Sequence, residues 1–164
     1  MSYGCSERNR NTMLTHLLMT LMALLLVLTL RMESIADQRK SLKAILADKR
    51  DHRRVLLIYG RDGSTGGGGQ QMLLEQQENL IEHEAGLQER DMDVIVLTAS
   101  EVPEPDRQFL MAAPFKLVPS ADYMAWLIGK DGGIKKVYTK PAPVNNIFAL
   151  IDGMPMRQQE MKKQ

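Results

Sequence analysis

Tyr123-Met124-Ala125-Trp126-Leu127-Ile128-Gly129-Lys130-Asp131-Gly132-Gly133-Ile134-Lys135-Lys136-Val137-Tyr138 is the stretch on which the fold turns. An apolar run, a reversal built on Asp-Gly, and an alternating return predict two antiparallel strands joined as a hairpin. Upstream, Val55-Leu56-Leu57-Ile58-Tyr59 ends in Gly60 and reads as a strand buried on both faces, as in a parallel sheet. Val94-Ile95-Val96-Leu97 reads as a second buried strand, with Ile58 and Ile95 expected as neighbours. Between them, 61–69 is a glycine-rich loop and Gln70 to Arg90 is helical. Leu73, Leu74, Leu80, Ile81 and Leu87 fall on one stripe, and Asp91 to Asp93 ends the helix. Strand, helix and strand form a unit whose crossover is right-handed.

Downstream of the hairpin, Pro141 and Pro143 stop the strand. Val144 to Asp152 then predicts a helix carrying Ile147, Phe148, Leu150 and Ile151, ended by Gly153 and Pro155. Ser100 to Asp122, with Pro103, Pro105, Pro114 and Pro119, reads as irregular chain wrapping a sheet edge. Asp37 to Asp48 reads as a short helix, and Lys49-Arg50-Asp51-His52-Arg53-Arg54 as a solvated lead-in to the first strand. A βαβ unit followed by a β-hairpin and a helix is the core topology of the thioredoxin fold. The expected class is therefore α/β, with a four-stranded mixed sheet. Residues 1–36 are expected to be a signal peptide or membrane anchor, 37–53 a short helix and charged lead-in, and 54–161 the thioredoxin-like domain.

Arg54-Val55-Leu56-Leu57-Ile58, Leu127-Ile128-Gly129-Lys130-Asp131-Gly132-Gly133, and the terminal segment Phe148 to Met161 resemble the family called domain of unknown function 4174. The family is also called the P-DUDES domain. It is found in single bacterial exported domains and in matrix proteins such as coiled-coil domain-containing protein 80. The resemblance covers roughly residues 50 to 161, and the terminal segment is its specific part. It implies a thioredoxin-like fold and a secretory location, and it carries over no catalytic residues.

The 164 residues hold 21 Lys+Arg against 20 Asp+Glu, a net charge of +1. That balance argues against a nucleic-acid-binding surface and against a polybasic membrane surface. Met13 to Leu30 carries no Asp, Glu, Lys or Arg, follows Arg8 and Arg10, and is closed by Arg31. A positive segment ahead of an apolar run is the export pattern, and Ser34-Ile35-Ala36 supplies small residues for cleavage before Asp37. The alternative is an uncleaved anchor, since the run is near the shortest length that spans a bilayer. The expected location is periplasmic or extracellular, with membrane attachment only through residues 13–30 if they are retained.

The single cysteine, Cys5, precedes the apolar run, so no disulfide framework, CxxC pair or thiolate zinc site exists between Asp37 and Gln164. Redox enzymes of this fold place a cysteine at a helix N-terminus after the first strand, where the helix field lowers the thiol pKa. Here that position offers Arg61, Asp62, Ser64 and Thr65. Thiol-disulfide exchange and cysteine peroxidase chemistry are excluded for want of a thiolate. Arg61, Asp62, Ser64 and Thr65 remain a candidate ligand loop for an anion, because glycines let backbone N–H groups converge. A Walker loop fails, since Gln70-Gln71 stands where Lys and Ser or Thr are needed. His83-Glu84 fails as a zinc-protease motif because Leu87 occupies the second histidine's place. Glu78 and Glu82 read as a solvated face, Trp126 and Tyr138 as sheet packing, and Met154, Met156 and Met161 as a cap on the core. No catalytic residue, metal ligand or cofactor is expected. The expected function is a non-catalytic module that binds a protein or envelope component. The alternative is a cysteine-independent enzyme or small-anion binder using loop 61–69.

Overall fold

β1 (Arg54–Gly60) is an interior strand of the sheet, and its seven residues are all buried. It pairs in parallel with β2 (Met92–Thr98) on one side and antiparallel with β3 (Tyr123–Ile128) on the other. β4 (Ile134–Tyr138) completes the predicted hairpin against β3, giving the order β2-β1-β3-β4. This is the thioredoxin-like arrangement, read here from a computed structural model that describes Met19, Met22, residues 40–62 and residues 68–163.

Alternation along the strands divides the core between the two faces of the sheet. On one face Leu56, Ile58, Ala125 and Leu127 meet Leu73 and Leu80 of α2 (Gly68–Ile81) and Leu87 of α3 (Glu84–Glu89). Ile147, Phe148 and Ile151 of α5 (Val144–Asp152) complete that layer. On the other face Val55, Leu57, Tyr59 and Trp126 meet Leu42 of α1 (Leu42–Lys49) and Leu110 of α4 (Glu104–Met111). Trp126 is fully buried, donates its indole N–H to the Phe115 carbonyl at 3.0 Å, and takes the Phe115 ring edge-on at 5.8 Å. α6 (Pro155–Met161) ends the domain.

The structure corrects several expectations. The helix expected over 70–90 is two helices, parted where His83 leaves helical backbone (φ −117°, ψ 23°). The break lets α3 run against Phe148: a Cβ on Gly86 would sit 2.5 Å from that ring. The buried stripe is Leu73, Leu80 and Leu87, while Leu74 and Ile81 are exposed, Ile81 to 74%. β2 begins at Met92 because the ladder starts at Arg54↔Met92. In that register Ile58 pairs with Val96 and Ile95 with Leu57, so Ile58 and Ile95 face opposite layers. β2 is a half-buried edge, not a fully buried strand. The 100–122 segment contains α4 and covers a face rather than an edge, its Leu110, Phe115 and Leu117 packing beneath Trp126.

The chain divides into two units, Met1–Lys40 and Ser41–Gln164. In the first, the export run 13–30 lies outside the described residues apart from Met19 and Met22, and so does Ser34-Ile35-Ala36. Among the described residues no helix is long and apolar enough to cross a membrane.

Candidate functional site

The end of the sheet where β1 exits is built on close backbone approach. The first turn of α2 is pressed so tightly against the strand ends that a Cβ on Gly69 would lie 2.4 Å from the carbonyl oxygens of both Arg61 and Asp122. The Arg61 N–H donates to the Asp122 carbonyl at 2.8 Å, and the two side chains form an ion pair above it. Asp62 accepts the Ser100 backbone N–H at 3.1 Å, and the hydrogen bond to Ser100 holds its carboxyl below the usual range. Two of the four candidate loop residues, Arg61 and Asp62, thus tie the loop to the ends of β2 and β3. Ser64 and Thr65 lie outside the described residues.

Beside this junction opens a cleft of about 390 Å³ lined by Met72, Val118, Asp122, Met124, Thr139 and Lys140. Its floor is stiffened from beneath. The buried Gln76 amide donates to the Ala142 carbonyl at 3.2 Å and accepts the Ala142 N–H at 2.7 Å, while the Tyr123 hydroxyl donates to the same amide oxygen at 3.3 Å. Burial raises the Tyr123 pKa, so its hydroxyl stays protonated. The cleft carries apolar walls, an engaged Arg–Asp pair and a lysine at its rim. No described lining residue is a nucleophile poised beside a base.

The opposite end of the sheet holds a charge network that the sequence reading missed. Arg54, expected in a solvated lead-in, is 1% exposed. It donates to the Arg90 carbonyl at 2.9 Å and to the Glu160 carboxylate at 3.1 and 3.2 Å. Lys130 reaches Glu160 at 2.7 Å and Asp91 at 2.8 Å. Arg157, also 1% exposed, donates to the Glu89 carboxylate at 2.7 Å and the Glu89 carbonyl at 3.0 Å. Arg90 grips Asp152 at 2.6 and 3.0 Å, with its guanidinium 4.3 Å from the centre of the Phe148 ring. Partial burial opposes ionisation of Glu160, yet the Lys130 hydrogen bond and the Arg54 charge outweigh it and hold the carboxyl below its usual value. Asp91 is lowered chiefly by the Lys130 hydrogen bond. Nearby, Lys49 and Arg53 both pair with Asp93, while Arg50, Asp51 and His52 between them are exposed, as expected of a solvated lead-in.

Buried guanidinium groups paired with more exposed carboxylates make a clamp, not a reactive pair, although Arg54 Nε itself keeps no partner. The signal was present in the sequence: Arg54 opens an apolar strand, and Arg157 and Glu160 stand one helical turn apart on α6. Arg54, Lys130, Asp152, Arg157 and Glu160 come from the first strand, hairpin and terminal segment that carried the family resemblance, whereas Glu89, Arg90 and Asp91 do not.

The remaining candidates settle into packing. The His83 ring nitrogen Nδ1 lies 2.8 Å from the Asn79 carbonyl, with the ring edge-on to Phe148. Among the described residues no group of three His, Cys, Asp or Glu could hold a metal. Glu78 and Glu82 are exposed, as expected of a solvated face. Met154 packs on the core, whereas Met156 and Met161 are exposed and cap nothing.

The family described as Domain of unknown function (DUF4174) matches residues 45–160. No curated protein matches the sequence. Among solved structures, the chain is similar to a thioredoxin peroxidase I of Plasmodium yoelii, at 15% identity over 70% of this chain and 79% of that one, with a TM-score of 0.48. It is similar to the reduced 2-Cys peroxiredoxin of Plasmodium vivax, at 11% identity over 70% and 72%, with a TM-score of 0.47. A DsbF homologue from Corynebacterium diphtheriae is 12% identical over 66% and 76%, with a TM-score of 0.45. These likenesses transfer no residue role.

Proposed function

The chain belongs to the domain of unknown function 4174 family, and from that premise we propose that it is a non-catalytic thioredoxin-like binding module of the cell envelope or extracellular space. One observation carries the reading: where β1 exits, Arg61 and Asp62 are consumed by internal contacts, and what remains beside them is an open cleft with apolar walls. The sequence from Asp37 to Gln164 contains no cysteine to make that end a redox centre. Shallow clefts with apolar walls and a polar rim suit macromolecular contact. The partner is a protein or other envelope component that lays an apolar group between Met72, Val118 and Met124.

The test is a photoactivatable residue at Val118 in the full-length chain, expressed in its own cells, with the exposed Gln159 as control position. A partner captured from Val118 but not from Gln159, and lost on Met72→Asp, supports the reading; equal labelling from both positions refutes it. The export half of the proposal rests on the run 13–30 and Ser34-Ile35-Ala36. N-terminal sequencing of fractionated protein checks it, and a full-length soluble cytoplasmic product would overturn it.

A further inference from the structure

The two helices nearest the end of the chain are docked by different forces. α5 buries Val144, Ile147, Phe148 and Ile151, the last three against the sheet. α6 buries a single residue, and that residue is charged: Arg157. Its methionines, Met156 and Met161, stand 47% and 42% exposed. The apolar anchorage ends at Met154, which packs on the core just ahead of the helix. The principal backbone neighbour of α6 is α5, not a strand of the sheet. What fastens α6 to the rest of the domain is therefore ionic. Glu160 sits on Arg54 and Lys130, and Arg157 sits on Glu89 and Asp152.

We propose that α6 is an electrostatic strap that swings away as one unit about the Gly153–Met154 link while the sheet and α5 stay folded. The link belongs to neither helix. Taking ions out of water costs nearly what their mutual attraction returns, so a helix docked by charge alone is held by a small difference. The seat is imperfect as well, since Arg54 Nε is buried without a partner even with the strap in place. Opening costs little on the other side of the contact. The carboxylates of Glu89, Asp152 and Glu160 are already 55%, 31% and 26% exposed, and water can take the place of their lost partners. Arg157 and Glu160 lie 3.9 Å apart on the same helix turn, so the released strap carries a charge pair of its own. The open form uncovers the Arg54 guanidinium, which then keeps only the Arg90 carbonyl, and the Lys130 ammonium, which keeps Asp91. The movement lies at the end of the sheet away from the Met72–Val118 cleft and leaves that cleft unchanged.

Amide hydrogen exchange in the full-length chain, held in detergent and read residue by residue by NMR, tests the strap. Gln158, Gln159, Glu160 and Met161 should share one protection factor to within about threefold, at least about a hundredfold below those of Leu57 and Trp126. Opening a strap exposes little surface and global unfolding exposes much. Urea at about 1 M should therefore leave the α6 rates nearly unchanged while speeding exchange in β1 and β3 at least about fivefold. Glu160→Gln, which keeps the shape and removes the charge, should speed α6 exchange at least about tenfold. Three results would each overturn the proposal. Rates in α6 equal to those in β1 and β3 would mean that the helix leaves only with the whole fold. Protection falling steadily from Gln158 to Met161 would mean fraying from the chain end. Rates untouched by Glu160→Gln would mean that charge does not hold the helix.

Discussion

Replacing Glu160 by Gln should destabilise the domain far more than a substitution on a terminal helix ordinarily does. Gln preserves the shape and removes the charge that receives Arg54 at 3.1 Å and Lys130 at 2.7 Å. Surface ion pairs contribute about 0–1 kcal/mol, but Arg54 is 1% exposed and Lys130 11%, so neither cation can turn to water for a substitute. Losing a charge-assisted hydrogen bond costs about 1.5–3 kcal/mol, and stranding one partner of a buried pair about 3–5 kcal/mol. Glu160 itself is 26% exposed, which moderates the upper figure. The Arg90 carbonyl still holds one arm of Arg54. The expected loss is about 2–4 kcal/mol, read as a shift of the urea midpoint at unchanged slope. A double-mutant cycle with Arg54→Met should return a coupling of at least ~1 kcal/mol. A loss below ~0.5 kcal/mol would mean the network is solvated in practice, and the clamp would have to be abandoned.

Acid should open the same clamp. Asp91, Asp93, Asp152 and Glu160 all have depressed pKa values in the folded protein, so their stabilisation is present above the unfolded carboxylate range near ~4 and is lost as pH falls through the folded values. Urea midpoints measured between neutral pH and about pH 3 should fall steeply at the acid end, less so in Glu160→Gln. Ile58→Ala should cost about 2–5 kcal/mol, because Ile58 is fully buried between the sheet and α2; an unchanged midpoint would refute the core assignment. Gly69→Ala should cost at least ~2 kcal/mol, since backbone oxygens 2.4 Å from the new methyl cannot step aside as a side chain could; a neutral effect in thermal melts would contradict the junction. A purified chain lacking Cys5 should neither reduce insulin disulfides nor consume peroxide above a heat-denatured control. Either activity would end the non-catalytic reading.

Topology was legible because strand boundaries announced themselves by composition. The apolar runs at 55–59 and 123–128 and the Asp-Gly reversal lie in the structure where the sequence puts them. Register was not legible: a one-residue offset separates Ile58↔Ile95 from the observed Ile58↔Val96, and two adjoining apolar runs carry no mark that distinguishes the two alignments. α4 escaped because its prolines read as breakers, although Pro105 sits in its first turn, where the missing N–H costs nothing. At the β1 exit the residue types were legible but their partners were not, since Asp122 and Ser100 are distant in sequence from Arg61 and Asp62. The basic clamp was hidden for the opposite reason. Composition treats Lys49 to Arg54 as one hydrophilic block, which masks that its last residue is also the first of the apolar strand and is sealed inside.

The Arg54–Glu160 contact joins residues 106 positions apart. A chain made from its N-terminus therefore presents Arg54 long before the carboxylate that neutralises it exists. Until α6 is synthesised, the base of the sheet holds unpaired guanidinium groups that resist dehydration, and the nascent chain is biased toward remaining open. Loop-closure entropy over that span delays the last contact further. The last charged contact of the domain thus forms only once α6 has been delivered.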